Sequence, residues 1–252
     1  KPFMANNSAI RAMFEEGKRM AAIYGKENVY DFSLGNPNVP VPQVTEAILD
    51  VVKNEDFMTL HGYMSNAGYE DVRQTIAESL NKRFGTNFSF KNLIMTVGAA
   101  SGLNIILKSI LNPGDEVIVF APYFVEYNAY VRNYDGNVVV ISPDTETFMP
   151  KLDEFEAKIT AKTKAVIINN PNNPTGRLIA DDLLEEILRI CREKNIALFV
   201  DECFLSLSDG GVDLTPSLSD FPQLFILKAF TKSFGMAGLR LGYGLSADEA
   251  LL

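Results

Sequence analysis

Lys232 lies in Ala229-Phe230-Thr231-Lys232-Ser233-Phe234-Gly235, just after the apolar run Leu224-Phe225-Ile226-Leu227. A lysine at the end of a buried strand is poorly hydrated, so its ammonium form is disfavoured. Such burial can bring a lysine from ~10.4 toward roughly 7–8, where the amine serves as nucleophile or base. Eight residues later comes Arg240, in Gly238-Leu239-Arg240-Leu241-Gly242. Three further segments carry chemistry: Gly98-Ala99-Ala100-Ser101-Gly102, Asn170-Pro171-Asn172-Asn173-Pro174-Thr175-Gly176 and Asp201-Glu202-Cys203-Phe204. Taken one at a time, each also has an ordinary reading: a solvated lysine, a strand–helix turn, a polar loop, a capping carboxylate.

The elements that must position these residues alternate. Short Ile/Val-rich strands are expected over residues 93–97, 116–120, 137–141, 165–169, 196–200 and 224–227, and a further one over 239–245. Helices are expected between most of them, over 100–111, 124–130, 152–158 and 182–194. Upstream, helices are expected over 8–24 with Asn7 as N-cap, over 42–53 with Pro42 in the first turn, and over 69–83. Residues 31–37 read as a short strand running into a turn. The pattern predicts an α/β fold: a mostly parallel sheet covered by helices on both faces.

In such sheets ligands bind outside the carboxyl ends of the strands, and every segment singled out above follows a strand. Gly98, Ala99 and Ala100 open a helix whose backbone N–H groups can hold an anion. The sequence there is neither a Walker loop nor GxGxxG. Phe124, after the 116–120 strand, can stack on a planar ring. An acid such as Asp201, ending an apolar strand, needs a positive partner. A planar aromatic aldehyde with a phosphate and a ring nitrogen accounts for the whole set, which is the arrangement expected for pyridoxal phosphate.

Composition narrows the alternatives. The net charge of −9 speaks against a nucleic-acid partner, which would want a basic face. Two cysteines, Cys191 and Cys203, and one histidine, His61, make neither a disulfide framework nor a zinc pattern. No apolar stretch is long enough for a bilayer, so a cytoplasmic location is expected. The chain opens at Lys1 and stops at Leu252, and both ends read as cut.

With these motifs in this order, the chain resembles the class I/II aminotransferases, fold-type I pyridoxal-phosphate enzymes, over nearly its whole length. The resemblance implies a large three-layer domain over residues 46–252. It implies an N-terminal arm with part of a small domain over 1–45, the C-terminal part of that small domain being absent. It implies that Lys232 forms the Schiff base and carries the proton, and that Asp201 partners the pyridine nitrogen. Asn173 would bond the ring 3′-oxygen, and Phe124 would stack on the ring. Gly98, Ala99, Ala100 and Arg240 would hold the phosphate. Gly35 would offer its backbone to the substrate carboxylate. Tyr63 would reach the phosphate in a neighbouring subunit, which implies a homodimer acting on an amino acid and a 2-oxo acid.

Several positions depart from the family pattern. Ala229 stands where many relatives place a hydroxyl that bonds the phosphate. Phe204 replaces a tyrosine that bonds the ring oxygen, and its loss would raise the pKa of the lysine–cofactor adduct. Phenylalanine there also occurs in relatives resembling the threonine-phosphate decarboxylase branch. Residues through Gly176 resemble the aspartate/aromatic aminotransferases. From Arg177 onward the chain is closer to the histidinol-phosphate aminotransferase and threonine-phosphate decarboxylase branch, as a divergent or a composite sequence would be. The resemblance therefore implies transamination, with decarboxylation or lysis, or a non-catalytic cofactor-binding module, as alternatives.

Overall fold

The computed structural model describes residues 9–37 and 40–252; the expected cap Asn7 lies outside them. The chain divides into two compact units, residues 1–38 and 39–252.

In the first unit, helix α1 runs Ala9–Tyr24 and stops at Gly25, whose φ of 87° is a left-handed value a side chain would oppose. The Asp31 carboxylate lies against α1 at Gly17, where an added Cβ would come within 2.7 Å of it. Residues 31–37 do not form the expected strand. Asp31 Oδ1 accepts the Ser33 N–H at 2.8 Å, and Leu34 O accepts the Asn36 N–H at 2.9 Å. These local turns use the backbone groups that a ladder would need.

The second unit begins with three helices: α2 (Pro42–Asn54), α3 (Phe57–His61) and α4 (Glu70–Phe84). Pro42 starts α2, as its fixed φ favours. The short α3 was not anticipated; its signal is Asp56, whose side chain accepts the Thr59 N–H. Five residues are too few to show a helical period. Gly85 ends α4 in the left-handed conformation, at φ 68°.

The alternating part follows: β1 (Leu93–Thr96), α5 (Ala99–Ile110), β2 (Glu116–Phe120), α6 (Tyr127–Arg132), β3 (Asn137–Ile141), α7 (Leu152–Lys158), β4 (Thr163–Asn169), α8 (Asp181–Glu193), β5 (Ala197–Asp201), β6 (Leu224–Ala229) and β7 (Gly242–Ser246). They build one seven-stranded sheet in the order β1-β7-β6-β5-β4-β2-β3. Strands β2 to β6 pair in parallel, while β7 runs antiparallel between β6 and β1. The expected mostly parallel sheet is borne out. The last strand starts later than the expected residue 239, because Arg240 has a left-handed φ of 56° that breaks an extended run. Helix α6 also starts later than expected: Phe124 O accepts the Tyr127 N–H, a turn that precedes the helix.

Side chains alternate across the sheet and fill two apolar layers. Val166 and Ile168 of β4 pack with α7 and α8 on one face; Ala165 and Ile167 pack with α5 and α6 on the other. Both faces are covered, so the strands read as continuous apolar runs. Each fully buried Val, Ile or Phe contributes roughly 1.5–3 kcal/mol. Among the described residues, no helix is long and apolar enough to cross a membrane.

From β2 the chain steps outward to β3, then returns to β4 on the other side of β2. That reversal opens a crevice at the carboxyl ends of β2 and β4. It is lined by Phe120, Pro122, Tyr127, Asn169 and Asn172 among others.

Candidate active site

Asp201 ends β5, paired with Asn169 of β4, which lines this crevice. Its Oδ2 accepts the hydroxyl of Tyr127 at 2.9 Å, and its Oδ1 accepts the Cys203 N–H at 3.1 Å. The Asp201 carbonyl accepts the side-chain amide of Asn169 at 2.8 Å and the Asn170 N–H at 3.1 Å. Asn169 Oδ1 in turn accepts the Asn173 N–H at 2.6 Å. The loop after β4 is thereby tied to the end of β5, and Asn173 is tied to Asp201 through one buried amide. Tyr127 and Asn169 were not singled out in the sequence. Asn169 had a signal, since a polar residue closing an apolar strand must find partners. Tyr127 had none, because its partner lies 74 positions away.

Burial and then the charge of Asp201 hold the Tyr127 hydroxyl well above the ordinary tyrosine range. It therefore stays protonated and acts as a donor. Burial and then Asp201 also push the Cys203 thiol up, so it stays a thiol. Phe124 meets Tyr127 edge to face, with ring centroids 5.5 Å apart.

Lys232 follows β6 and is half-buried. Its ammonium lies 4.9 Å from the centre of the Phe204 ring. Burial lowers its pKa below the ordinary lysine value, and nearby Arg240 lowers it further, while Cys203 and Asp201 oppose the shift. The expected displacement of this lysine toward neutrality is present in direction.

Gly98 caps α5 with φ 75° and ψ 168°. An added Cβ there would fall 2.6 Å from Nη2 of Arg240, so the guanidinium lies against the start of this helix. Arg240 Nη1 donates to Ala237 O at 3.0 Å, which steadies the side chain. Gly242 of β7 passes so close that its added Cβ would meet Gly98 C and Ala99 N at 3.0 and 3.1 Å. Only a glycine admits that approach. The start of α5 at Gly98 and the Arg240 guanidinium thus lie side by side, and Gly242 packs against the same turn.

The second unit brings Lys232, Asp201, Asn173, Phe124, Arg240 and residues 98–100 to the carboxyl side of the sheet. Tyr63, in the same unit, is fully exposed. Gly35 belongs to the first unit.

The sequence profile of the family "Aminotransferase class I and II" matches residues 26–252. The chain belongs to this family. Family members depend on pyridoxal phosphate, and the relatives below are named aminotransferases. The aspartate aminotransferase of Thermotoga maritima is 32% identical over 244 residues, which is 95% of this chain and 63% of that protein. The aspartate aminotransferase of Sulfolobus acidocaldarius is 31% identical over 88% of the chain and 56% of its own length. Among solved structures, an aminotransferase from Eubacterium rectale superposes with a TM-score of 0.90 at 37% identity, covering 99% of this chain and 66% of that one. The Thermus thermophilus aspartate aminotransferase with maleate gives 0.86 at 29% identity, covering 98% and 63%. The chain therefore spans less than two thirds of the length of the curated aminotransferases it matches.

Proposed function

We propose that this chain forms the cofactor-binding part of an aminotransferase that moves an amino group from an amino acid to a 2-oxo acid, with Lys232 as its covalent and proton-carrying residue. The observation that carries this reading is the meeting of a half-buried lysine, a strand-end aspartate and a helix start beside Arg240 at one end of one sheet. Residues 46–252 are taken as the large cofactor-binding domain, and 1–45 as an arm with part of a small domain.

The residues present fit pyridoxal phosphate. The start of α5 at Gly98, Ala99 and Ala100 suits a phosphate as an anion cradle, and a side chain at Gly98 would collide with Arg240. When bound, the cofactor supplies an aldehyde for an amine and a ring that accepts an electron pair. Lys232 is the amine of the resting site. Released by substrate, it takes the proton from the substrate Cα and returns it two atoms along the chain of bonds. Its lowered pKa makes a larger fraction of it a free amine near neutral pH. Asp201 is the carboxylate that would keep the ring nitrogen protonated, and two donors, Tyr127 and Cys203 N–H, aim it. Asn173 would bond the ring 3′-oxygen, and Phe124 would cover one face of the ring.

Gly35 would present its backbone to the substrate carboxylate. Tyr63 is exposed as a residue serving a second copy of the chain would be, which supports a homodimer with shared sites. The named relatives make aspartate the first amino donor to try. Phe204 beneath Lys232 supports a second reading, decarboxylation, since that position departs from the tyrosine of many aminotransferases.

The test combines spectrum and product. With pyridoxal phosphate the chain gives a yellow band, and borohydride fixes the cofactor to Lys232; Lys232→Ala gives neither. Aspartate then yields a 2-oxo acid and pyridoxamine phosphate. Carbon dioxide with an amine would support decarboxylation instead. Absence of any lysine-dependent band, both in this chain and in one extended to its relatives' length, would sink the cofactor reading.

A further inference from the structure

Behind the Lys232 loop lies a buried ionic cluster. Lys228, on β6, places its Nζ 2.5 Å from Glu202 Oε2 and 2.8 Å from Asp213 Oδ2. The three side chains are 14%, 1% and 15% exposed. Glu202 Oε1 accepts the Leu214 N–H at 3.0 Å, and the Glu202 N–H donates to Leu227 O at 3.0 Å. Asp213 Oδ1 accepts the Thr215 N–H at 3.0 Å. One ammonium thus joins the end of β5, the end of β6 and the segment before residues 215–220.

Stability alone does not account for such a cluster, because apolar side chains of the same volume would usually serve as well as buried ions. Its place is informative. Glu202 directly follows Asp201, and Lys228 precedes Lys232 by four residues. Asp201 pairs with Leu227 in the last rung joining β5 to β6. Beyond that rung β5 passes into the turn of Cys203 and Phe204, while β6 runs on to Ala229 beside β7 before the turns that carry Lys232. The ion pairs tie the two strands where their ladder ends.

We propose that Lys228 is a positioning residue for Lys232: gripped by Glu202 and Asp213, it holds the end of β6 against the end of β5 and so fixes Lys232 relative to Asp201. This inference rests on the reading of Lys232 and Asp201 as partners in one site. Without the ammonium, the end of β6 loses both ion pairs, and buried Glu202 takes up a proton instead of holding the strand end. The Lys232 loop then relaxes toward water, and its amine regains an ordinary lysine pKa.

The test measures the pH midpoint for labelling the Lys232 amine by mass spectrometry, on the full-length chain, without and with pyridoxal phosphate. Protection of Lys232 by the cofactor in the unaltered chain reports on the proposed function. The midpoint without cofactor reports on Lys228. In Lys228→Met the midpoint is expected to rise by about half a pH unit or more, and Lys228→Arg is expected to restore it. Asp213→Asn, nearly unchanged in shape, is expected to raise it by a smaller amount and decides the matter if Lys228→Met does not fold. An unaltered midpoint in Asp213→Asn and in folded Lys228→Met overturns the inference, whether or not the cofactor protects Lys232.

Discussion

The hydroxyl of Tyr127 donates to Oδ2 of Asp201 at 2.9 Å, joining the first turn of α6 to the end of β5. The phenol is buried, while Asp201 is half-buried. Burial keeps the phenol protonated, so the proton in this bond belongs to the tyrosine. Asp201 is thereby held as an oriented acceptor, with its second oxygen on the Cys203 N–H.

Tyr127→Phe removes that donor and leaves the ring in place. A hydrogen bond to a charged acceptor contributes roughly 1.5–3 kcal/mol, part of which water at the crevice will replace. In the proposed transaminase, kcat/KM is expected to fall about tenfold, equivalent to ~1.4 kcal/mol. The pH midpoint of the cofactor's visible band should shift with it. Unchanged kinetics and an unchanged band would show that Asp201 is oriented by its backbone partner alone.

Gly98→Ala tests the anion cradle. The φ of 75° is strained for alanine, and the new Cβ would stand 2.6 Å from the Arg240 guanidinium. Arg240 must move away, and the backbone cost is ~1–2 kcal/mol. Equilibrium dialysis is expected to show affinity for pyridoxal phosphate weakened at least about tenfold. Wild-type affinity would place the phosphate elsewhere.

Glu202 gives the fold a pH dependence. Burial raises its pKa to about 7, against the attraction of Lys228 and reinforced by Asp213. Tyr243 of β7 packs on the same cluster, its hydroxyl pushed up to about 12 by burial. Because the folded value of Glu202 lies above its unfolded value, the folded state holds its proton longer. Its contribution to stability is complete below the ordinary carboxylate range and is lost as pH rises through about 7. The melting temperature is therefore expected to decline by a few degrees between pH 5 and 8 on this account. Glu202→Gln should flatten that decline. An equal slope in the variant would assign the decline to other groups.

Much of the site was legible in the sequence because its residues follow strands, and strands are local. Asp201, Lys232, Asn173 and Gly98 could be placed near strand ends from apolar runs, while their individual roles came from the resemblance of their motifs to the aminotransferase family. The turn at residues 31–37 was misread, because an apolar and polar alternation does not reveal that the Asp31 carboxylate accepts the Ser33 N–H. The onset of β7 was misread for a similar reason: only the backbone shows that Arg240 is left-handed.

The sequence by itself determined most of the alternating strands and helices from β1 onward, that the sheet is mostly parallel, and which side chains stand at its carboxyl edge. Apolar period, turn residues and strand-end polarity are properties of a few neighbouring residues, and they survive in the linear chain. Tertiary structure alone decided the strand order, the insertion of β7 between β6 and β1, the bond from Tyr127 to Asp201, and the grip of Glu202 and Asp213 on Lys228. Those depend on which distant groups are desolvated together, and a buried polar group takes whatever partner the packing brings within reach.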